Sequence, residues 1–405
     1  MRILLVAVNL PYPPASGGLL RIYGLMNGLH QAGYELTLMS FADEKIDPTK
    51  TPLVNLCQQI ITIPPQNRTK LDRVRDLIFT RQPDIARRFF SVAFADKLRE
   101  LLAQNQFDLI QFEGIESVCY LPIAKQAQPN AKFCFDTFNA EYILQRGIFE
   151  IDRRTSKRWP AALYSYVQSR RIEQFEGDMC RLADAVIAVS TEDADLLRPF
   201  RQDARVYVVP NGIFIDDYTN QETKINLGEN VLVFTGKMDY RPNVDGALWF
   251  VEQVFPKIRE HVPDVQFYIV GQQPHPRLDG LRQIPGVHLT GWVDSTQPYL
   301  SAADVYVAPL RMGSGTRLKL LEAMATGCAI VATTAAAAGL HSEAKQGMIV
   351  SDNEHAMADS IIDLLQNPGK QYELRQNAQQ IVKQYYDWSV LIPHLLEAYR
   401  EIGLG

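Results

Sequence analysis

The sequence predicts an α/β chain of two Rossmann-like domains, on three observations. Apolar runs of strand length alternate with helical stretches along the chain, the pattern of a mostly parallel sheet covered by helices. The pattern is interrupted by VVPNGIFIDDYTNQETKINLGEN, a polar connection rich in Asn, Gly and Asp, and then restarts. Finally, 405 residues are more than one hydrophobic core usually accommodates, so two domains of roughly 200 residues are expected.

The first 40 residues read as a βαβ opening: RILLVAV, the turn-rich NLPYPPASGG, an amphipathic stretch to Ala32, then ELTLMSF. Strand-length runs follow at Phe107 to Phe112, Ala131 to Phe135, Ala185 to Val189 and Val206 to Val209, with helical stretches at Phe94 to Ala103 and Tyr164 to Leu182. Beyond the connection, strands are expected at Val231 to Thr235, Val265 to Val270, Val287 to Thr290, Val305 to Ala308, Ala329 to Thr333 and Met348 to Val350. Helices at Val244 to His261 and Leu318 to Ala325 lie among them, and Ala356 to Gln366, Lys370 to Tyr386 and Val390 to Ile402 close the chain. The expected division is 1–212 plus a returning helix at 388–405, and 213–387. Ligands of such domains sit beyond the carboxyl ends of the strands, so the cleft between the domains is the expected site.

Composition excludes other classes. With 46% hydrophobic and 21% charged residues the chain is an ordinary globular one, not a disordered or collagen-like one. No apolar run reaches the roughly 18 residues of a membrane span, and the opening MRILLVAVNLPYPP breaks at Pro11 without a small-residue cleavage site, so a cytoplasmic chain is expected. The five scattered cysteines read as buried free thiols, and the seven histidines show no metal-ligand spacing. Asp193-Ala194-Asp195 spells DxD, yet it follows Ser190 at a helix start, where acidic residues favour the dipole; no metal is expected.

The net charge of −5 hides a split: +2 before residue 215 and −7 after it. Residues 68–99 hold nine basic and four acidic side chains, and residues 153–171 hold six basic and no acidic ones. Phe79, Phe89, Phe90, Phe94, Trp159, Tyr164 and Tyr166 are interleaved with them. Such a surface suits an anionic membrane, and a solvated helix face accounts for it equally; the overall acidity disfavours nucleic acid.

The most informative segment is VYVAPLRMGSGTRLKLLEAMATGCAIVAT at 305–333: strand, glycine loop, helix, strand. Gly313, Ser314, Gly315 and Thr316 free backbone N–H groups for an anion at the next helix's N-terminus, and Arg317 and Lys319 add positive charge. Glu322 lies on the same helical face as Lys319, well placed for ribose hydroxyls. A capped helix with solvated charges is the plainer alternative. Gly17 and Gly18 occupy the turn where the first strand meets its helix, and Gly236, Lys237 and Arg241 follow another strand's carboxyl end.

These residues resemble the retaining GT-B glycosyltransferases of family 4, group 1. Pro309, the spacing to Glu322 and EAMATGCAIVAT match that family's signature, as do Ser16-Gly17-Gly18, ADAVIAVSTEDADLL, VVPNGI and GWVDSTQPYLSAADVYVAP, in the family's order. TGKMDYRPNVDGALWF resembles a subgroup associated with bacterial exopolysaccharide assembly. Several positions depart from the family: Ser314 replaces the first signature carboxylate; Lys237 stands for the family's Arg, with Arg241 nearest to its following Lys and Arg317 or Lys319 as compensating charges; and Phe138 stands where a first-domain His is common, leaving Asp136, Asn139 and Glu141 as acceptor-side candidates.

The resemblance implies metal-independent transfer, with retention, from a UDP- or GDP-linked sugar to a glycan or lipid-linked acceptor. Lys237, Arg241, Arg317 and Lys319 would stabilise the departing diphosphate, with Gly17, Gly18, Gly236, Ser314, Gly315 and Thr316 lining the donor site. Glu322 would hold the ribose, and the Gly291 to Thr296 loop, with Trp292 and Val293, the base. A peripheral place on the inner face of the plasma membrane would follow, through 68–99 and 153–171. A nucleotide-sugar epimerase of the same fold and a non-catalytic nucleotide-sugar-binding assembly subunit are the alternatives.

Overall fold

A computed structural model describes the chain except residues 15, 44, 67, 154–158, 220–224, 313–317 and 405. Two compact units emerge, Met1–Pro210 with Leu391–Gly405, and Asn211–Val390. Each is a parallel sheet with helices, as the alternation of apolar runs predicts.

The first unit's sheet contains β1 (Arg2–Ala7), β2 (Glu35–Phe41), β3 (Cys57–Ile63), β4 (Leu109–Glu113), β5 (Lys132–Asp136), β6 (Ala185–Ala188) and β7 (Tyr207–Val208). They lie in the order β3-β2-β1-β4-β5-β6-β7, with Val6 opposite both Met39 and Phe112. The connections reverse direction between β1 and β4, the kind of point at which open α/β sheets bind ligands. The near-continuous burial of β1, β2, β4, β5 and β6 explains why these strands read as solid apolar runs. Edge strand β3 escaped the sequence reading because CQQIITI leaves Gln58 and Gln59 exposed and carries no such run.

The second unit's sheet holds β8 (Val231–Thr235), β9 (Gln266–Val270), β10 (Val287–Gly291), β11 (Val305–Ala308), β12 (Ala329–Ala332) and β13 (Ile349–Val350), in the order β10-β9-β8-β11-β12-β13. Its reversal falls between β8 and β11. The helix expected over Val244 to His261 is divided: Arg241–Trp249 and Phe255–His261 flank a π-helical turn at Phe250–Val254. Pro256, whose ring clashes with a continuous i−4 bond, accounts for the break.

The last helix, Trp388–Glu401, begins in the second unit and ends in the first. There Ile392 packs so closely on the helix Gly17–Gln31 that a Cβ at Gly28 would lie 2.1 Å from Ile392 Cγ1. Tyr399, fully buried, hydrogen-bonds through its hydroxyl to Gln111 Oε1 of β4. None of the cysteines is disulfide-bonded: Cys134, Cys180 and Cys328 are buried, Cys57 and Cys119 half-buried, and burial pushes the Cys57 thiol up to about 12.

Among the described residues no helix is long and apolar enough to cross a membrane.

Candidate functional site

In the second unit the predicted residues gather at the carboxyl ends of β8 and β11. β8 stops at Thr235 because Gly236 turns the chain at φ +154°, and Gly271, at the same end of β9, approaches so closely that a Cβ there would fall 1.7 Å from the Gly236 carbonyl oxygen. The space a Gly236 side chain would need is taken by the Lys319 ammonium and the Asn243 amide, whose Nζ and Nδ2 would lie 2.6 and 2.7 Å from a Gly236 Cβ. Lys319 Nζ donates to the Thr235 carbonyl and to Asn243 Oδ1, both at 2.8 Å, and sits 4.8 Å from the centre of the Phe234 ring. Asn243 in turn donates to the Lys237 carbonyl at 2.8 Å. The ammonium is therefore a positioned charge rather than a solvated one.

Glu322 lies one helical turn beyond Lys319 on Leu318–Thr326. Burial pushes its carboxyl up, while the Tyr218 hydroxyl, donating at 3.2 Å to Oε1, and the Lys319 charge pull it back. Packing brings the supporting helix in: Gly246 presses on the exit of β11, where a Cβ would lie 2.6 Å from the Pro309 carbonyl. Tyr218 and Asn243 were not anticipated from the sequence, being 104 and 76 residues from the side chains they hold.

The other basic candidates are less constrained. Lys237 is exposed and pairs with Asp239 at 3.5 Å, and Arg241 is exposed at the start of its helix. Trp292 is 67% exposed after β10, while Val293 packs against the core. Ser314, Gly315, Thr316 and Arg317 lie outside the described residues.

The first unit differs. The helix Gly17–Gln31 starts after Ser16 with no side-chain cap and no acidic residue in its first turn, leaving the Gly17 and Gly18 end open to an anion. Asp136, expected to contact an acceptor, instead lies fully buried in a two-pronged pair with Arg21, at 2.7 and 2.6 Å. A carboxylate with no exposed surface at the end of a central strand must be satisfied from within the protein, and the guanidinium does so. Arg21 also donates to the carbonyls of Val209 and Pro210, at 2.8 and 3.2 Å, fixing the end of the first unit's main segment. Beside it, burial and Asp136 push the Glu113 carboxyl well above the usual range, and Gln111 donates to its Oε1 at 2.7 Å.

Phe138 takes the place expected for a histidine and is where three loops converge. A Cβ at Gly18 or at Gly114 would lie 3.1 Å from its ring, and one at Gly114 only 2.7 Å from Glu116 Oε2. Asn139 is half-buried, and its carbonyl accepts from the Thr137 hydroxyl at 2.6 Å. Burial, reinforced by Glu116, pushes the Glu141 carboxyl up to about 7, and burial raises Glu116 likewise. Glu176 caps the helix carrying Glu141 by accepting from the N–H groups of Glu141 and Tyr142, both at 3.0 Å.

The DxD sequence is structural: Asp193 Oδ1 accepts from Ala140 N at 2.9 Å, and its N–H donates to the Ser190 hydroxyl at the start of Thr191–Leu197. Among the described residues no group of three or more His, Cys, Asp or Glu side chains is placed to hold a metal ion. The basic segments are less uniform than their sequence. Phe94 is core, Phe79 and Tyr166 are exposed, and the side chain of Trp159 and residues 154–158 lie outside the described set.

Comparison with known proteins gives a consistent result. The family described as Glycosyltransferase Family 4 matches residues 16–217, and that described as Glycosyl transferases group 1 matches residues 229–367. A 44.6 kDa protein of the cps region of Klebsiella pneumoniae is 20% identical over 95% of this chain and 96% of its own length. A phosphatidyl-myo-inositol mannosyltransferase of Propionibacterium freudenreichii is 25% identical over 79% of this chain and 77% of its own. Among solved structures, sucrose-phosphate synthase of Thermosynechococcus elongatus superposes with a TM-score of 0.72 at 18% identity, covering 99% of both chains. Anabaena HepE in complex with UDP-glucose gives 0.66 at 15% identity, covering 99% of this chain and 100% of that one.

Proposed function

The chain belongs to the group 1, family 4 glycosyltransferases, and from that premise we propose that it moves a sugar, with retention and without metal, from a nucleotide-diphosphate-sugar to an acceptor hydroxyl. The observation that carries the donor assignment is the Lys319 ammonium fixed by Thr235 and Asn243 at the β8–β11 reversal, one turn from Glu322. The UDP and UDP-glucose bound in the HepE structures support a nucleotide-sugar donor.

The acceptor oxygen attacks the anomeric carbon as the bond to the diphosphate breaks, and the hydroxyl proton leaves on a diphosphate oxygen. Negative charge grows on that leaving group, so a preorganised cation lowers the barrier more than one that must first be ordered. Lys319 fills that role, with Lys237, Arg241 and Arg317 as further cations and the 313–316 glycine loop as a backbone donor set. Glu322 accepts from the ribose hydroxyls, and Gly291 to Thr296 meets the base. The first unit takes the acceptor, glycan or lipid-linked; the mannosyltransferase relative, named for phosphatidyl-myo-inositol, favours the second. The exopolysaccharide role and a peripheral membrane location rest on the TGKMDYRPNVDGALWF resemblance and the basic segments 68–99 and 153–171.

Thermal shift with UDP-, GDP- and ADP-sugars identifies the donor, since a ligand of the folded state raises its stability. Lys319→Ala is expected to lower transfer by roughly 10²–10³-fold, the effect of removing one preorganised charge donor. Transfer by Lys319→Ala and Glu322→Ala within a few-fold of the unmodified chain would remove the site assignment.

A further inference from the structure

The first unit contains a cavity of 480 Å³ that none of the predicted site residues lines. It opens among the segments that follow β1, β2 and β3, at the same end of the sheet as Gly18 and Glu141. Its wall is largely apolar, formed by Leu10, Leu19, Phe41, Ile46, Phe89 and Phe90, and among the described residues Arg88 and Asp43 are the charged side chains that line it. The wall is held from behind. Ser91 N donates to the Tyr120 hydroxyl and that hydroxyl donates to the Phe89 carbonyl, both at 2.7 Å, while the Phe90 ring stacks on Tyr120 at 5.6 Å. A pocket braced this way exists before its ligand arrives.

The segment that carries Arg88 is basic: Arg68, Arg73, Arg75, Arg87 and Arg88 share Asp72, Asp76 and Asp84, while the cavity wall itself also holds Asp43. Arg88, exposed and held to Asp84 at 3.4 Å, also acts electrostatically on Glu116, which in turn acts on Glu141. The cavity thus presents an apolar wall with one guanidinium and one carboxylate, and Glu116 and Glu141 lie at the same end of the sheet. A soluble glycan has no use for the first of these, and an uncharged lipid has none for the second.

We propose that the cavity takes the apolar chain of a lipid-linked acceptor, with its phosphate on Arg88 and its sugar hydroxyls toward Glu116 and Glu141. This rests on the glycosyltransferase reading and narrows its acceptor to one class, an apolar chain bonded directly to a phosphate.

Calorimetric titration of the full chain with farnesyl phosphate tests it, against farnesol and inorganic phosphate. Farnesyl phosphate is expected to bind saturably and roughly tenfold or more tighter than either fragment, because the chain and the anion are captured together. Ile46→Asp, at a position already 44% exposed, places a carboxylate against the chain and is expected to weaken farnesyl phosphate by roughly tenfold. Leu19→Asp is the second variant on the same wall, and Arg88→Gln is expected to bring the affinity down to that of farnesol. Equal binding by the unmodified chain and both Asp variants overturns the proposal, as does inorganic phosphate binding as tightly as farnesyl phosphate. Nucleotide-sugar thermal shift on the same samples reads the donor unit separately. A donor response without farnesyl phosphate binding removes the lipid acceptor alone, whereas farnesyl phosphate binding with no response to any nucleotide-sugar removes the glycosyltransferase reading.

Discussion

The two units share one architecture and fill its ligand-bearing end in opposite ways. In the second, the carboxyl ends of β8 and β11 surround a cation, Lys319, with carbonyl and amide oxygens that hold it in place. In the first, the corresponding reversal between β1 and β4 has Asp136 tied to the buried Arg21 beside Glu113, with the desolvated Glu116 and Glu141 carboxyls at the same end of the sheet and an apolar cavity among the segments after β1, β2 and β3. The sheet and its crossover helices set where a ligand binds; the loop side chains set which ligand. A positioned ammonium suits a diphosphate, whereas desolvated carboxyls suit hydroxyl groups.

The contrast also separates structural charges from functional ones, and three variants probe that separation. Asp136→Ala leaves Arg21 buried without its partner and is expected to cost about 3–5 kcal/mol of stability, read by denaturant titration. A loss below about 1 kcal/mol would show that Arg21 is not held by this pair, and that Asp136 is free for the acceptor role the sequence suggested.

Glu141→Gln is the intermediate case. The folded carboxyl titrates near 7 against an ordinary value of 4.5, so the folded chain holds this proton more tightly than the unfolded chain does. Stability from this group is fully present below about pH 4.5, falls as pH rises through 7, and is absent above it. The glutamine variant should therefore exceed the unmodified chain by roughly 1–3 kcal/mol at pH 8, with the gap closing toward pH 4.5. A pH-independent difference would show that Glu141 is not desolvated.

The smallest effect is expected at Lys237. Its exposed pair with Asp239 contributes about 0–1 kcal/mol, so Lys237→Ala should leave the melting temperature nearly unchanged while weakening donor affinity a few-fold. If instead it melted the protein as Asp136→Ala does, the division between exposed donor-side cations and buried structural charge would collapse.

The parallel sheets were legible because strands buried on both faces appear as uninterrupted apolar runs, as in RILLVA and VLVFT. β3 was not legible, since an edge strand keeps polar residues, and neither was the π-helical turn at Phe250–Val254, which helical periodicity alone does not reveal. The Lys319–Glu322 juxtaposition was legible in outline. Lys319 and Glu322 lie three residues apart on one helix, so spacing alone places them on one face.

Sequence by itself thus determined the two-domain α/β design and the Lys319–Glu322 spacing, because each is written in local periodicity or short spacing, and it pointed to the glycosyltransferase family through the resemblance of its ordered motifs. Only the tertiary structure decided that Asp136 belongs to Arg21, that Asn243 and Tyr218 hold Lys319 and Glu322, and that Arg88 lines an apolar cavity at the end of the sheet where Glu116 and Glu141 lie. Those relations join residues tens to more than a hundred positions apart. Neither distance nor desolvation exists until the chain has packed.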